Sequence, residues 1–436
     1  MKPIFNTRKN FIKNPWFIFL PFLAIYVILV ITFPTQLRIG DEIRYCWYAD
    51  NLTHGFYSPP QPDIILWNGP GYPITLVPII ALQLPDVCLT ILNALFMYVS
   101  VVLLFIALKK YVSFKVALIF TIFWATYIDM FASIIFVLSE SLTALIITLL
   151  LYYIVKTFES SSKKHLFISG LLLGYLVLTK IIFAYVILVL LAGLILLWML
   201  NLKNLNYRKG TVIILIAFAT TSPYLIYTYQ LTGRFFYWGN SGGQQIYWMS
   251  TPFPEEYGDW MSPLLNFKND FNGRFASNDS LLKVRHQKDM NEIDNLKYKY
   301  LFDGTSQDDA FKRFAIRNIK QHPAKYFLNC IANTGRMVFG FPFSYKKESP
   351  LTLITMPWKT VLLTFILLCL IPTILNWRKL IFSLRFILIF TLIYLFGSTL
   401  VSAYPRMFDV IVPVLLFWIA LIMSKSLTIK TRFVNN

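Results

Sequence analysis

Residues 40–76, GDEIRYCWYADNLTHGFYSPPQPDIILWNGPGYPITL, decide how the rest of the chain reads. They follow the first apolar run and open on an adjacent acidic pair, Asp41-Glu42. Tyr45, Trp47 and Tyr48 come next, and the stretch closes on the turn-forming series Asn68-Gly69-Pro70-Gly71-Tyr72-Pro73. Carboxylates at a membrane surface cost free energy unless something uses them, so the pair marks a candidate site. The competing reading is a solvated loop with ordinary surface charges.

Outward from this stretch, the chain of 436 residues is 57% hydrophobic and 14% charged, where a soluble domain carries about 25% charged residues. The composition specifies a polytopic membrane protein. The net charge of +19 sits largely in short loops between apolar runs, where Lys and Arg set topology. Nucleic acid is therefore not an expected partner. Cys46, Cys88, Cys330 and Cys369 have no metal-ligand spacing. Cys88 and Cys369 fall in apolar runs, and nothing supports a Cys46–Cys330 bridge. The first apolar run lacks a small-residue cleavage site and reads as a retained helix.

Basic residues Lys2, Arg8, Lys9 and Lys13 precede the first span and place the N-terminus in the cytoplasm. Hydropathy and charge then predict ten spans, near 16–34, 88–108, 115–134, 137–155, 211–229, 352–374, 383–401 and 407–424, with two within 166–200. The break in that last pair falls at Thr179-Lys180. The predicted organisation is an N-terminal membrane core (1–229) with a first outer loop (35–87), a mixed, mainly helical outer domain (230–350), and C-terminal spans (351–436). Residues 72–84 are apolar but broken by prolines, which suggests a helix lying in the interface. Ser306 and Asp309 fit a capping box, His322-Pro323 breaks the chain, and 324–339 forms an amphipathic run along the membrane. Asn51-Leu52-Thr53 and Asn278-Asp279-Ser280 match an N-glycosylation pattern that means nothing in a bacterial inner membrane, the location that the Lys-, Ile-, Asn- and Phe-rich composition suggests.

The unusual residues gather on the outer face: Asp41, Glu42, Arg44, Asp129, Glu140, Lys180, Arg336 and Arg406. The cytoplasmic loops are too short for a catalytic domain. Neither GxxxxGK[ST] nor HExxH occurs, and the four histidines are scattered, so no cofactor is expected and nothing supports a divalent metal. Nucleotide sugars and ATP are cytoplasmic, so an outer-face enzyme building glycans needs a donor already carried across, such as a polyprenyl-phosphate sugar. In that chemistry one carboxylate, Asp41 or Glu42, takes a proton from the attacking acceptor. Lys180, Arg406 and either Arg44 or Arg336 stabilise the departing phosphate. Glu140 and Asp129 are supporting acidic residues, with helix capping as the alternative. Tyr45, Trp67 and Tyr72 line the substrate, or join an interfacial aromatic belt. Snorkelling at helix ends is the alternative for Lys180 and Arg406.

The chain also resembles the GT-C glycosyltransferases, through a first outer loop beginning Asp-Glu and ending in the aromatic turn GPGYP. Nearest are the dolichyl-phosphate-mannose-protein mannosyltransferases and the lipid A aminoarabinose transferases, glycosyltransferase families 39 and 83. Further pieces agree in order along the chain: SESLTALIITLLLYY, SGLLLGYLVLTK, GRFFYWGNSGGQQIYW, IRNIKQHPAKYFLNCI and YPRMFDVIVPVLLFW. The resemblance implies an all-α GT-C fold, a polyprenyl-phosphate sugar donor, an active site between the first outer loop and the membrane, and Asp41 as its acidic residue. It departs at two points: the aminoarabinose transferases have a Lys beside the Pro-rich turn, where this chain has Asn68-Gly69, and the outer domain is short, with no recognisable extra module.

The resulting expectation is an integral membrane glycosyltransferase that moves a sugar to a lipid, glycan or protein acceptor among membrane lipids. A flippase of lipid-linked glycans is the first alternative, opposed by the missing internal repeat. An outer-face glycan polymerase or ligase is the second.

Overall fold

The structure is a computed structural model that describes residues 14–34, 40–160, 162–200, 205–261, 285–293, 304–344 and 350–426. Among these residues the protein is helical, with no strand. A single turn, Pro15–Ile18, leads into α1 (Leu20–Thr32), followed by α2 (Asp41–Thr53), α3 (Gly71–Ala81) and α4 (Val87–Lys109). Next come α5 (Phe114–Ala125), α6 (Asp129–Ile135), α7 (Glu140–Glu159), α8 (Lys163–Thr179), α9 (Ile182–Met199) and α10 (Leu205–Thr232). Beyond them α11 (Gly242–Met249), α12 (285–293) and α13 (Gly304–Gln321) share a small core around Tyr247, Ile293 and Phe311. The chain returns through α14 (Pro323–Phe339), α15 (Pro350–Leu375), α16 (Phe382–Thr399), the five-residue α17 (Pro405–Asp409) and α18 (Val412–Ser426).

Six of these helices are long and apolar enough to cross a membrane: α4, α7, α9, α10, the 352–375 portion of α15, and α16. This is an integral membrane protein. The predicted span 115–134 is not straight: α5 and α6 meet at a 58° bend and together would make a seventh crossing. The other three predicted spans fall on short helices. α1 has 13 residues, about 20 Å at 1.5 Å per residue, against a hydrocarbon core of about 30 Å. α8 has 17 residues and α18 has 15. Apolar run length overstates helix length here, because prolines and chain breaks cut the runs.

The bundle has two unlike ends. At one, Lys110 pairs with Glu159, and Lys209 Nζ donates to the carbonyl oxygens of Thr157 and Ser160 at 3.0 Å each. The other end carries Asp41, Glu140, Lys180 and Arg406. There the 68–71 turn is pressed against the last residues of α8. A Cβ on Gly69 would lie 2.0 Å from the Leu178 carbonyl oxygen, and one on Gly71 would lie 2.7 Å from the Thr179 nitrogen. Only glycines allow that approach, which sets the Pro-rich turn beside Lys180.

α8 also needs Gly170 and Gly174, four residues apart, to lie against α10. A Cβ on either would sit 2.5 Å from the Cβ of Ile216 or Thr220, the small-residue contact by which membrane helices approach closely. Gly174→Leu is expected to destabilise the protein by about 1–3 kcal/mol through overpacking, read as a lower unfolding temperature in detergent.

α14 has two faces, as its amphipathic run predicts. It buries Asn329, Asn333, Arg336 and Met337, and exposes Phe327, Leu328 and Ile331. Tyr326 Oη donates to the Leu400 carbonyl at 2.8 Å, joining this apolar face to the exposed stripe of Leu392 and Phe396 of α16 and Leu400 just past its end. The break at His322-Pro323 is found as predicted, with Pro323 opening α14. The capping box is not: α13 begins at Gly304, inside which Ser306 is already helical, and Asp309 pairs with Arg234 at 2.7 Å. None of the four cysteines forms a disulfide among the described residues. Asn278-Asp279-Ser280 and the basic residues before Asn14 lie outside the described residues.

Candidate active site

Gly40, at φ +56°, adopts a conformation that favours glycine and starts α2 with Asp41 and Glu42 in its first turn. A helix N-terminus favours negative charge, so the sequence and the backbone agree in placing carboxylates here. Three further helix ends gather beside this first turn. Glu140 is the first residue of α7, Lys180 caps the C-terminus of α8, and Arg406 is the second residue of α17.

Their side chains form one continuous run of ion pairs. Asp41 Oδ1 accepts from Arg44, one turn along α2, and Asp41 Oδ2 accepts from Arg406 Nη1 at 2.7 Å. Arg406 Nε lies 3.7 Å from Glu140 Oε1, which accepts from Lys180 Nζ at 2.7 Å. Glu140 is 1% exposed, and its second oxygen, Oε2, is buried with no hydrogen-bond partner. Burial pushes the Asp41 carboxyl up, but Arg406 and Arg44 outweigh it and hold the group well below the usual carboxylate range.

The remaining sequence candidates separate into those that join this run and those that do not. Arg44 joins it. Its Nε donates to Asn68 Oδ1 at 3.2 Å and its guanidinium lies 4.9 Å above the Trp67 ring. The cation beside the Pro-rich turn is thus Arg44, with the Trp67 ring beneath it. Glu42 points elsewhere: its Oε1 accepts from the Val137 N–H at 2.9 Å, in the segment between α6 and α7. Tyr45 is 4% exposed, with its Oη donating to Ser139 Oγ at 3.0 Å and accepting from Asn68 Nδ2 at 3.3 Å. Tyr72 is fully buried, edge-on to Tyr45, with its Oη on Asn93 Oδ1 at 3.0 Å. Tyr45 and Tyr72 therefore brace the site wall and Tyr72 does not line it. An aromatic residue in a turn sequence gives no sign of which way its ring points.

Asp129 is held apart, by Lys359 Nζ at 2.9 Å. Asp409 lies near, accepting from Tyr127 Oη at 3.0 Å. Sequence reading missed Lys359 and Asp409, although each is a charged residue inside an apolar run, the signal that could have found them. Arg336 is not a free cation either. It is fully buried, and its guanidinium donates to the carbonyl oxygens of Ala403, Tyr257, Pro342 and Gly258, each at 3.1 Å, and to Asn333 Oδ1 at 2.6 Å. No group of three or more metal-ligating side chains occurs among the described residues.

No family model matches the sequence, and no curated protein matches it. Among the solved structures that it resembles are two of membrane enzymes. One is the archaeal oligosaccharyltransferase AglB from Archaeoglobus fulgidus, in complex with an inhibitory peptide and a dolichol-phosphate, at 13% identity and a TM-score of 0.48, covering 93% of this chain and 50% of that one. The other is ArnT from Cupriavidus metallidurans bound to undecaprenyl phosphate, at 11% identity and a TM-score of 0.38, covering 92% of this chain and 77% of that one. This chain spans half the length of the first.

Proposed function

We propose that the protein is a membrane glycosyltransferase that moves a sugar from a polyprenyl-phosphate donor to an acceptor on the outer face. The acceptor is a hydroxyl or amine of a lipid, glycan or protein. The observation that carries this reading is the run Arg44–Asp41–Arg406–Glu140–Lys180. Three cations against two carboxylates leave one positive charge, the complement of a phosphodiester monoanion. Basic residues at the opposite end of the bundle favour both termini in the cytoplasm and the site outside, and the Lys-, Ile-, Asn- and Phe-rich composition favours a bacterial inner membrane. In this reading 230–350 forms the outer domain.

The chemistry follows from the charges. The donor phosphate competes with the carboxylates for Arg406, Arg44 and Lys180. As Arg406 turns to the phosphate, Asp41 becomes a stronger base; in the unliganded arrangement its two guanidinium partners keep it a weak one. Asp41 then takes the acceptor proton as the acceptor forms its bond to the anomeric carbon. The bond from that carbon to the phosphate oxygen breaks, and the polyprenyl phosphate leaves with its electron pair, stabilised by cations already in place.

The catalytic cations in this reading are side chains that already occupy Asp41 and Glu140. Activity is accordingly expected to be unchanged by excess EDTA, measured as turnover of the purified protein; a loss restored by added divalent ion would replace these cations with a metal. The function itself is tested with purified wild type and radiolabelled sugar on polyprenyl phosphate. Transfer or release of the sugar is the expected result. Binding of the donor with no cleavage for any acceptor offered would favour a flippase of lipid-linked glycans.

A further inference from the structure

Arg406 sits on a helix of five residues, too short to fix its own place, since most helical stability comes from tertiary packing. Something else must hold it. On its N-terminal side, Asn333 of α14 grips the preceding turn: Nδ2 donates to the carbonyl oxygens of Ser398 at 3.2 Å, Thr399 at 3.0 Å and Val401, and Oδ1 accepts from the Ala403 N–H at 2.9 Å. Arg336, one turn on, bonds the Ala403 carbonyl and ties it to Gly258 and Pro342. On the C-terminal side, Tyr394 Oη donates to the Met407 carbonyl at 2.9 Å and Tyr127 holds Asp409.

We propose that Asn333 and Arg336 are positioning residues whose task is to hold the 401–404 turn so that the Arg406 guanidinium reaches Asp41 and Glu140. This rests on the proposed function of that site. A fully buried guanidinium, hydrogen-bonded to carbonyl and amide oxygens with the buried Asp259 carboxylate as the charge near it, is an expensive way to stabilise a fold, because replacing buried charge by packed apolar groups is often neutral or better. Five directed hydrogen bonds instead specify geometry. They join three segments, 257–258, Pro342 and Ala403, at the root of the helix that carries Arg406.

The test reads Arg406 through Asp41. The charged and titratable groups facing Asp41 are Arg44, Tyr45 and Tyr48 of α2, Glu140 of α7, and Tyr404 and Arg406. Of the two cations, Arg406 is the stronger influence holding the Asp41 carboxyl down. The acid limb of kcat/KM reports the free enzyme, so it should rise when Arg406 drifts away. In Arg336→Lys and Asn333→Ala the acid limb is expected to move up by about one pH unit or more and kcat to fall by about tenfold or more. An unfolding temperature measured alongside reads stability separately. Should Arg336→Lys not accumulate, Asn333→Ala, which keeps the buried guanidinium and its four carbonyl partners, carries the test.

A lower unfolding temperature with the acid limb and kcat of wild type would overturn the proposal and leave the pair with a purely structural role. Arg406→Ala serves as the control. If its acid limb also stays in place, the error lies in the assignment of Asp41 as base, because the lever itself then reads nothing. If only Arg406→Ala moves the limb, the site reading stands and the positioning role is wrong.

Discussion

Asp41→Asn is expected to lower sugar transfer by about a hundredfold or more, the size of effect that follows loss of a general base. Donor binding should survive. Asparagine keeps the shape of the side chain and one acceptor oxygen, for Arg44 or Arg406 but not both, and it removes one negative charge from the run. The site then carries two net positive charges, so the donor phosphate is held as well as before or better. The signature is a fall in kcat without a rise in donor KM, measured with labelled polyprenyl-phosphate sugar. Full activity in the variant would move the base elsewhere, and Glu140, with its unpartnered Oε2, would be the next candidate.

The same substitution has a stability consequence with a definite sign. The folded-state pKa of Asp41 is depressed by Arg406 and Arg44 against the opposing effect of burial. Its ionised form therefore stabilises the fold above the unfolded value of about 4, and that contribution is lost as pH falls through the folded value. Asp41→Asn should be less stable than wild type at neutral pH. The gap should close in strong acid, where both carry a neutral side chain.

Arg406→Ala is expected to cost about 100- to 1,000-fold in kcat, as removal of a preorganised group facing developing charge does. Arg406 spans both carboxylates, 2.7 Å from Asp41 and 3.7 Å from Glu140, while Arg44 and Lys180 each reach only one of them. No neighbour can take over its place between the two. Arg406→Lys should recover little, since a single ammonium cannot reproduce the fork of a guanidinium. A raised donor KM with kcat unchanged would show that Arg406 contributes equally to ground-state and transition-state binding, and would remove it from the chemical step.

Much of this site was legible in residue order. Asp41, Glu140, Lys180 and Arg406 each stand at the end of an apolar run, where a charge is costly and conspicuous. Hydropathy alone therefore collects them on one side of the bundle. The same logic grouped Asp129 and Arg336 with them, and there it failed. Asp129 stands at the same edge but faces Lys359, and Arg336 turns into a cage of carbonyl oxygens. Glu42, next to Asp41 in sequence, is rotated by one helical step and bonds the backbone at Val137.

Local hydropathy and turn chemistry determined most of the helices, the break at Thr179-Lys180, the two faces of α14 and the charged residues at the edge of the bundle. These are properties of neighbouring residues, and the cost of placing a charge against apolar surface is read from the residue and its flanks. Which charge pairs with which was decided only by tertiary structure. Asp41 and Arg406 are 365 positions apart, and they meet where the first turn of α2 and the start of α17 come together. Pairing depends on where helix ends converge, and no local pattern carries that.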